Sequence, residues 1–337
     1  MEAPRFCPNC GTALEPGYKF CPNCGSPVRA AAPPRVREFT LWGLPRSSQT
    51  RVGERFTVHM WGVSKEFVFD GSKGRVFKKV PLEEALRLFS MFPRRYPEVL
   101  PKKFYPLVFQ VEAKTWEDGI LRVVLLEEGL YDLRGTFTPN RKGFISVKTT
   151  LASKVDYAAA SEAIRRFYTE PRLLENYFKA KERWVQEQEL REGKYIMKMP
   201  CAIPIYSGYE VSDFIHASLY LMRDGLDLWP GVEHGERLPD AIQRVPFEPM
   251  RVKRTVIPVP IFAIVRTKVS VSRELCHLPF EAVKKAKIHR KDGRMELKYV
   301  DPRGKKRDIE FIFLIDEDVP KFCEAIAPYL AGRLKIK

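Results

Sequence analysis

Apolar and polar positions alternate with period two along much of this chain, and they follow a helical period in four stretches. Arg55 to Trp61 alternates like a half-buried strand, and Glu66 to Asp70 predicts a second. Pro81 to Phe89 opens a helix, with a proline and two acids in its first turn. Leu107 to Ala113, Ile120 to Leu126 and Tyr131 to Phe137 predict three strands, the first two joined by the turn Glu117-Asp118-Gly119. The turn at Asn140 to Gly143 leads into a strand over Phe144 to Thr150, and Ala158 to Tyr168 reads as an amphipathic helix. Leu173 to Glu192 predicts a long charged helix entered at Pro171. Its apolar stripe is Leu174, Tyr177, Phe178, Trp184 and Val185, and Lys179, Lys181, Arg183 and Arg191 belong to its polar face.

The second half reads as strands closed by one helix. A hairpin is expected over Phe214 to Met222, Arg223-Asp224-Gly225 and Leu226 to Trp229. Further strands are expected at Val252 to Val259, Phe262 to Val271, Ala282 to His289, Met295 to Val300 and Ile309 to Leu314. The last helix starts near Asp316-Glu317-Asp318 and carries Val319, Phe322, Ile326 and Leu330, with Arg333 and Lys335 at its basic end. The class is therefore α+β. Residues 1–28 form a small cysteine module, 29–37 a Pro/Arg linker, 38–170 an α+β domain, 171–192 a connecting helix and 193–337 a β-rich domain. In the linker, Pro33-Pro34 favours an extended spacer, and Arg35 and Arg37 add charge. The segment from Leu278 to Lys287, followed by Gly293 to Leu297, is similar to the strand and Gly-turn hairpin of pleckstrin-homology-like domains. That resemblance implies a barrel plugged by the terminal helix.

The most specific chemistry lies at the N-terminus. Cys7-Pro8-Asn9-Cys10-Gly11 and Cys21-Pro22-Asn23-Cys24-Gly25 are two knuckles separated by ten residues. Each pair of thiolates grips one tetrahedral metal from a tight turn, and the following glycine lets the backbone turn back. Four thiolates leave no open position for water, so the expected ion is a single structural Zn²⁺ held by Cys7, Cys10, Cys21 and Cys24. A small hairpin suits the spacer, with Thr12 to Leu14 running out and Tyr18 to Phe20 returning. The alternative is two disulfides or four free thiols. The stretch resembles the short zinc ribbons at the ends of many archaeal and bacterial proteins, which implies a recognition module.

Composition adds partners. The net charge is +16 over 337 residues, which attracts polyanions at long range. Between Lys284 and Arg307 there are eleven basic residues against three acids. The candidate phosphate contacts there are Lys284, Lys285, Lys287, Arg290, Lys291, Arg294, Arg303, Lys305, Lys306 and Arg307, on two predicted hairpin turns. A second cluster holds Lys73, Arg75, Lys78, Lys79, Arg94, Arg95, Lys102 and Lys103. Phe77, Phe92, Tyr96, Phe104 and Tyr105 are interleaved with it, either as rings that stack on unpaired bases or as core. Glu210 to Asp240, with seven acids and two arginines, makes the charge polar.

Three cysteines outside the knuckles, Cys201, Cys276 and Cys323, have no disulfide spacing, so a reducing, cytoplasmic location is expected. The N-terminus runs straight into the ribbon, so no leader is expected. The longest apolar run, Val256 to Val265, is ten residues broken by Pro258 and Pro260, too short for a membrane span. Only nine residues are Asn or Gln, a bias that fits heat adaptation. His59, His216, His234, His277 and His289 share no metal-ligand or catalytic spacing, and neither phosphate-loop nor nucleophile-elbow motifs occur. We therefore expect neither an enzyme nor a small-molecule substrate. In organisation the chain resembles the zinc-ribbon-bearing, ribosome-associated hibernation factors of archaea. This implies binding to ribosomal RNA and ribosomal proteins and a steric block of translation. Two alternatives stay open: an adaptor for proteins or anionic membrane surfaces, and a DNA-binding regulator. Replacing Cys7 and Cys10 with Ser is expected to release zinc, at about one ion per chain, and to unfold the ribbon while residues 38–337 stay folded; metal analysis and circular dichroism check this.

Overall fold

The structure is a computed structural model. It describes residues 39–61, 75–95, 107–115, 117–127, 129–139, 145–207, 210–231, 234–239, 242–247 and 274–337, together with the strands at 5–6, 13–14, 253–258 and 263–268. The chain divides into two units, Met1–Phe39 and Thr40–Lys337. In the first, strands β1 (Arg5–Phe6) and β2 (Ala13–Leu14) pair antiparallel, Arg5 opposite Leu14 and Phe6 opposite Ala13. The expected return strand at Tyr18 to Phe20 lies outside the described residues.

The second unit begins with an antiparallel sheet of six strands. They are β3 (Phe56–Trp61), β4 (Arg75–Val80), β5 (Val108–Glu112), β6 (Ile120–Glu127), β7 (Leu130–Phe137) and β8 (Val147–Val155), in the order β4-β3-β5-β6-β7-β8. The expected strand at Glu66 to Asp70 lies outside the described residues, and β4 forms where basic residues hide the alternation. Helices α1 (Leu82–Ser90) and α2 (Tyr157–Thr169) pack on this sheet through Phe56, Phe89, Phe109, Phe167 and Tyr168. Acids Glu83 and Glu84 start α1, and the Asp156 carboxylate caps α2 by accepting from the Ala159 amide at 2.8 Å. Near the end of α2, buried Arg166 donates to the Glu170 carboxylate and to the Leu41 carbonyl, which ties the entry of this unit to the helix.

Helix α3 (Leu173–Arg191) joins this sheet to the second. It is far more buried than its charge implies. Leu174 fills the space over Gly135, Phe178 meets Phe137 at 5.7 Å, and Tyr177 donates to the Thr150 carbonyl at 3.1 Å. Three glutamates seven residues apart, Glu175, Glu182 and Glu189, are also buried, on one stripe of the helix. Glu175 pairs with Arg172 at 3.0 Å and Lys179 at 2.9 Å. Glu182 pairs with Lys198 at 3.0 Å, both side chains being at most 3% exposed, and accepts from the Gly235 amide. Glu189 accepts from the Tyr195 hydroxyl at 2.6 Å and from the Leu238 amide. Burial, together with that hydrogen bond to Glu189, pushes the Tyr195 phenol up, so it stays a neutral donor. Beside Glu182, His216 and His234 meet at 3.0 Å, and His216 also bonds the backbone of Ser146 next to β8. Burial depresses both imidazoles, the more deeply buried His234 further, and like charge from His216, Lys198 and Lys181 adds to its shift.

The second sheet has nine strands: β9 (Met197–Ser207), β10 (Glu210–Leu221), β11 (Gly225–Pro230), β12 (Arg244–Pro246), β15 (Leu275–Pro279), β16 (Val283–His289), β17 (Arg294–Val300), β18 (Lys306–Phe313) and β19 (Leu334–Ile336). Strands β13 (Lys253–Pro258) and β14 (Ala263–Lys268) form a separate hairpin. The order is β12-β15-β11-β10-β9-β18-β17-β16-β19, antiparallel except for the outer pairs β12–β15 and β16–β19. Helix α4 (Val319–Ile326) covers its core through Phe322 against Phe313 at 5.2 Å. The expected pleckstrin-homology-like barrel does not close: the sheet ends in edge strands β12 and β19, which do not pair with each other among the described residues. A 3-10 turn at Phe280–Ala282 separates β15 from β16 within the segment that reads as one strand. Strand β9 is not evident from the sequence, because it contains Pro200 and Pro204. Its β18 flank pairs only at Ala202 and Cys201, so missing N–H groups forfeit little of the ladder there.

Replacing Glu182 by Leu leaves Lys198 buried without its counter-ion. The expected loss is about 3–5 kcal/mol, and adding Lys198→Met recovers part of it. Urea unfolding followed by tryptophan fluorescence checks both.

Candidate nucleic-acid interface

The outer edge of the nine-stranded sheet concentrates lysine. On β16, Lys285 and Lys287 point away from the core residues Ala286 and Ile288. On β17, Glu296 and Lys298 alternate with buried Met295, Leu297 and Tyr299. Lys285 stands opposite Lys298, and Lys287 stands opposite both Glu296 and, on the other side, Lys335 of β19. Together with Lys337, these side chains line a groove of about 370 Å³, five lysines against one carboxylate. Neighbouring strands lie about 4.8 Å apart, and same-face residues on one strand about 6.7 Å apart. The lysines therefore rise from a regular backbone grid on one face of the sheet. Among the described residues no aromatic ring lines the groove, so these residues offer charge and hydrogen-bond donors.

Glu296 is the exception inside the groove. It accepts from Lys287 at 3.2 and 3.4 Å and lies 3.3 Å from His289. Burial works against its charge, yet the hydrogen bond from Lys287 and the charges of Lys287, His289 and Arg294 hold its carboxyl below the usual range.

Strand β19 brings Lys335 and Lys337 into place. Its entry is clamped by Arg333, whose guanidinium donates to the carbonyls of Phe280 at 2.6 Å, Val283 at 2.9 Å and Tyr329 at 3.1 Å. The Lys337 amide then donates to the Ile288 carbonyl, and Arg290 donates its amide to the Lys337 carbonyl. Arg333 and Lys335 thus do not end a helix, as the sequence suggests; α4 stops at Ile326. Lys298, Lys335 and Lys337 escape a reading that looks for contacts at loop tips. The alternation in Leu334-Lys335-Ile336-Lys337 is the signal for the last two.

The other expected contacts separate. Cys7, Cys10, Cys21, Cys24, Arg35, Arg37, Lys73, Lys102 and Lys103 lie outside the described residues. Lys284 is exposed beside the groove and donates to the Glu281 carbonyl. Arg290 and Lys291 are exposed in the β16–β17 turn, and Arg294 pairs with Glu310 at 3.5 Å. In the β17–β18 turn, buried Asp301 accepts from the amides of Arg303 and Lys305 and from the Arg307 guanidinium at 3.0 Å. The amide of Lys305 is the main reason the Asp301 carboxyl is held low. Arg307 therefore braces the turn, whereas Arg303, Lys305 and Lys306 are exposed on it.

The described members of the second basic cluster lie on edge strand β4 and just after α1. Lys78 and Lys79 are exposed on edge strand β4, where Arg75 lies over the Phe77 ring at 6.0 Å. Arg94 covers the Tyr157 ring at 4.5 Å, and Arg95 is exposed. Phe92, 2% exposed, is core and cannot stack on a base. The acidic stretch is also partly spent internally: fully buried Asp227 accepts from Arg244 at 2.7 Å and contacts His277 at 2.6 Å. Cys276, next to that histidine, packs against the core and has its thiol pushed up by burial.

Residues 6–28 match the model of a zinc-ribbon domain. The matched stretch contains Cys7, Cys10, Cys21 and Cys24, and four thiolates are a zinc donor set. A search of curated proteins found no match for the chain. No helix among the described residues is long and apolar enough to cross a membrane.

Replacing Arg333 by Ala removes the clamp on β19. Amide exchange at Leu334 and Lys337 is expected to rise about tenfold or more, for a local loss of about 1.5 kcal/mol, with the central strands unchanged.

Proposed function

We propose that this protein is a cytoplasmic, ribosome-associated RNA-binding factor that docks on ribosomal RNA and occupies functional surfaces of the subunits, blocking translation by exclusion. The observation that carries the reading is the lysine groove of β16, β17 and β19. Lysine is a compact point charge that suits phosphate, and five of them on one rigid sheet face make an electrostatic footprint without base readout. The net charge of +16 supports the same partner class. The zinc ribbon, with one structural Zn²⁺, supplies a second contact point for RNA or ribosomal protein, and the linker at 29–37 tethers it. Two modest contacts on one chain reinforce each other through effective concentration. The role is binding, with no chemical step.

The test is sedimentation of cell lysate through a sucrose gradient at low and high salt. The protein is expected to travel with ribosomal particles at low salt and to return to the top at high salt or after RNase. The variant Lys285→Glu/Lys298→Glu/Lys335→Glu is expected to stay at the top throughout. For single strands, removing one lysine–phosphate pairing lowers the slope of log affinity against log salt by about 0.7. A wild-type protein that never leaves the top of the gradient overturns the reading.

A further inference from the structure

A carboxylate inside an anion-binding groove needs a reason. Among the described residues that line the groove, Glu296 is the one acid, and it stands on β17 cross-strand from Lys287 of the middle strand β16. It bonds Lys287 through both oxygens and draws in His289 from the same face. The groove thus already holds an anion of its own. An isolated phosphate competes poorly with it, because a tethered carboxylate has a high effective concentration at Lys287. A polynucleotide strand does not face that handicap. Its phosphates reach Lys285, Lys298, Lys335 and Lys337 together, and once some are seated the next is itself tethered beside Lys287.

From this geometry we propose that Glu296 is the specificity-determining residue of the groove: it occupies Lys287 as an internal competitor and admits ligands whose closely spaced phosphates displace it, as on one polynucleotide strand. The inference rests on the groove being the nucleic-acid site. Glu310, opposite Glu296 on β18 but outside the groove lining, is the internal control for simple loss of negative charge. It pairs with Arg294 at 3.5 Å.

The experiment measures fluorescence anisotropy of a labelled ten-nucleotide oligouridylate with the full chain across a salt series. Inorganic phosphate serves as competitor. Glu296→Gln is expected to tighten binding about three- to fivefold, the scale of an exposed ion pair. It is expected to steepen the salt slope by about 0.7, as Lys287 becomes available to a phosphate. Inorganic phosphate should then displace the oligonucleotide at a several-fold lower concentration. Lys287→Ala is expected to cost little alone and to cancel the gain made by Glu296→Gln. Glu310→Gln should leave the salt slope unchanged. If Glu296→Gln leaves affinity and slope at wild-type values, or if Glu310→Gln matches it, the competitor role is overturned. The groove reading survives that result provided Lys285→Glu/Lys298→Glu/Lys335→Glu still abolishes binding. Should that triple variant bind like wild type, the groove itself is not the site.

Discussion

The ion pair of Glu182 with Lys198, buried to within 3% exposure on both sides, is the constraint that the second unit is built around. Two charges out of water are tolerable only if their remaining valences are filled. The Gly235 amide donates to Glu182 and the Glu236 carbonyl accepts from Lys198, which draws the segment after β11 onto α3. The His216–His234 contact extends the same network to Ser146 and so to the six-stranded sheet. Glu175 and Glu189, one stripe spacing away on either side, repeat the arrangement with their own partners. Fixed carboxylates with fixed donors hold α3 in one register against both sheets.

That rigidity bears on the lysine groove. Lys198, on β9, anchors the strand to which β18 pairs, and β18 in turn carries β17, β16 and β19. Five lysines repel one another, so a soft support would let them spread apart. The sheet ladder prevents this, and Arg333 secures the outermost strand by three carbonyls. The groove is consequently a property of strand order. Lys285 and Lys335 lie fifty residues apart in sequence, yet they stand on adjacent strands.

Charge counted along the chain and charge presented at the surface differ here. Several basic residues serve internally: Arg166 binds Glu170, Arg307 binds Asp301 and Arg244 binds Asp227. The acidic stretch loses Asp227 to the interior in the same way. What remains outside is less uniform than the linear run of Lys284 to Arg307 suggests: five lysines share one sheet face, while Arg290, Lys291, Arg303, Lys305 and Lys306 stand at the turns.

Much of this protein is legible in the residues alone. The paired C-P-N-C-G knuckles specify a zinc ribbon because thiolate spacing is local chemistry. The helices over Leu82–Ser90, Tyr157–Thr169 and Leu173–Arg191 follow from periodicity and end signals, as do the strands of the hairpins. Local signals fail where local preference is overruled. Strand β9 tolerates two prolines because its neighbour leaves one flank mostly unpaired, and β19 exists only because β16 offers an edge. The buried glutamate stripe of α3 carries no sequence signal of its burial, since glutamates seven residues apart look the same whether water or Lys198 answers them. Which lysines meet is likewise decided by the sheet. Alternation says which side of a strand a residue takes, and only the pairing of distant strands says what stands next to it.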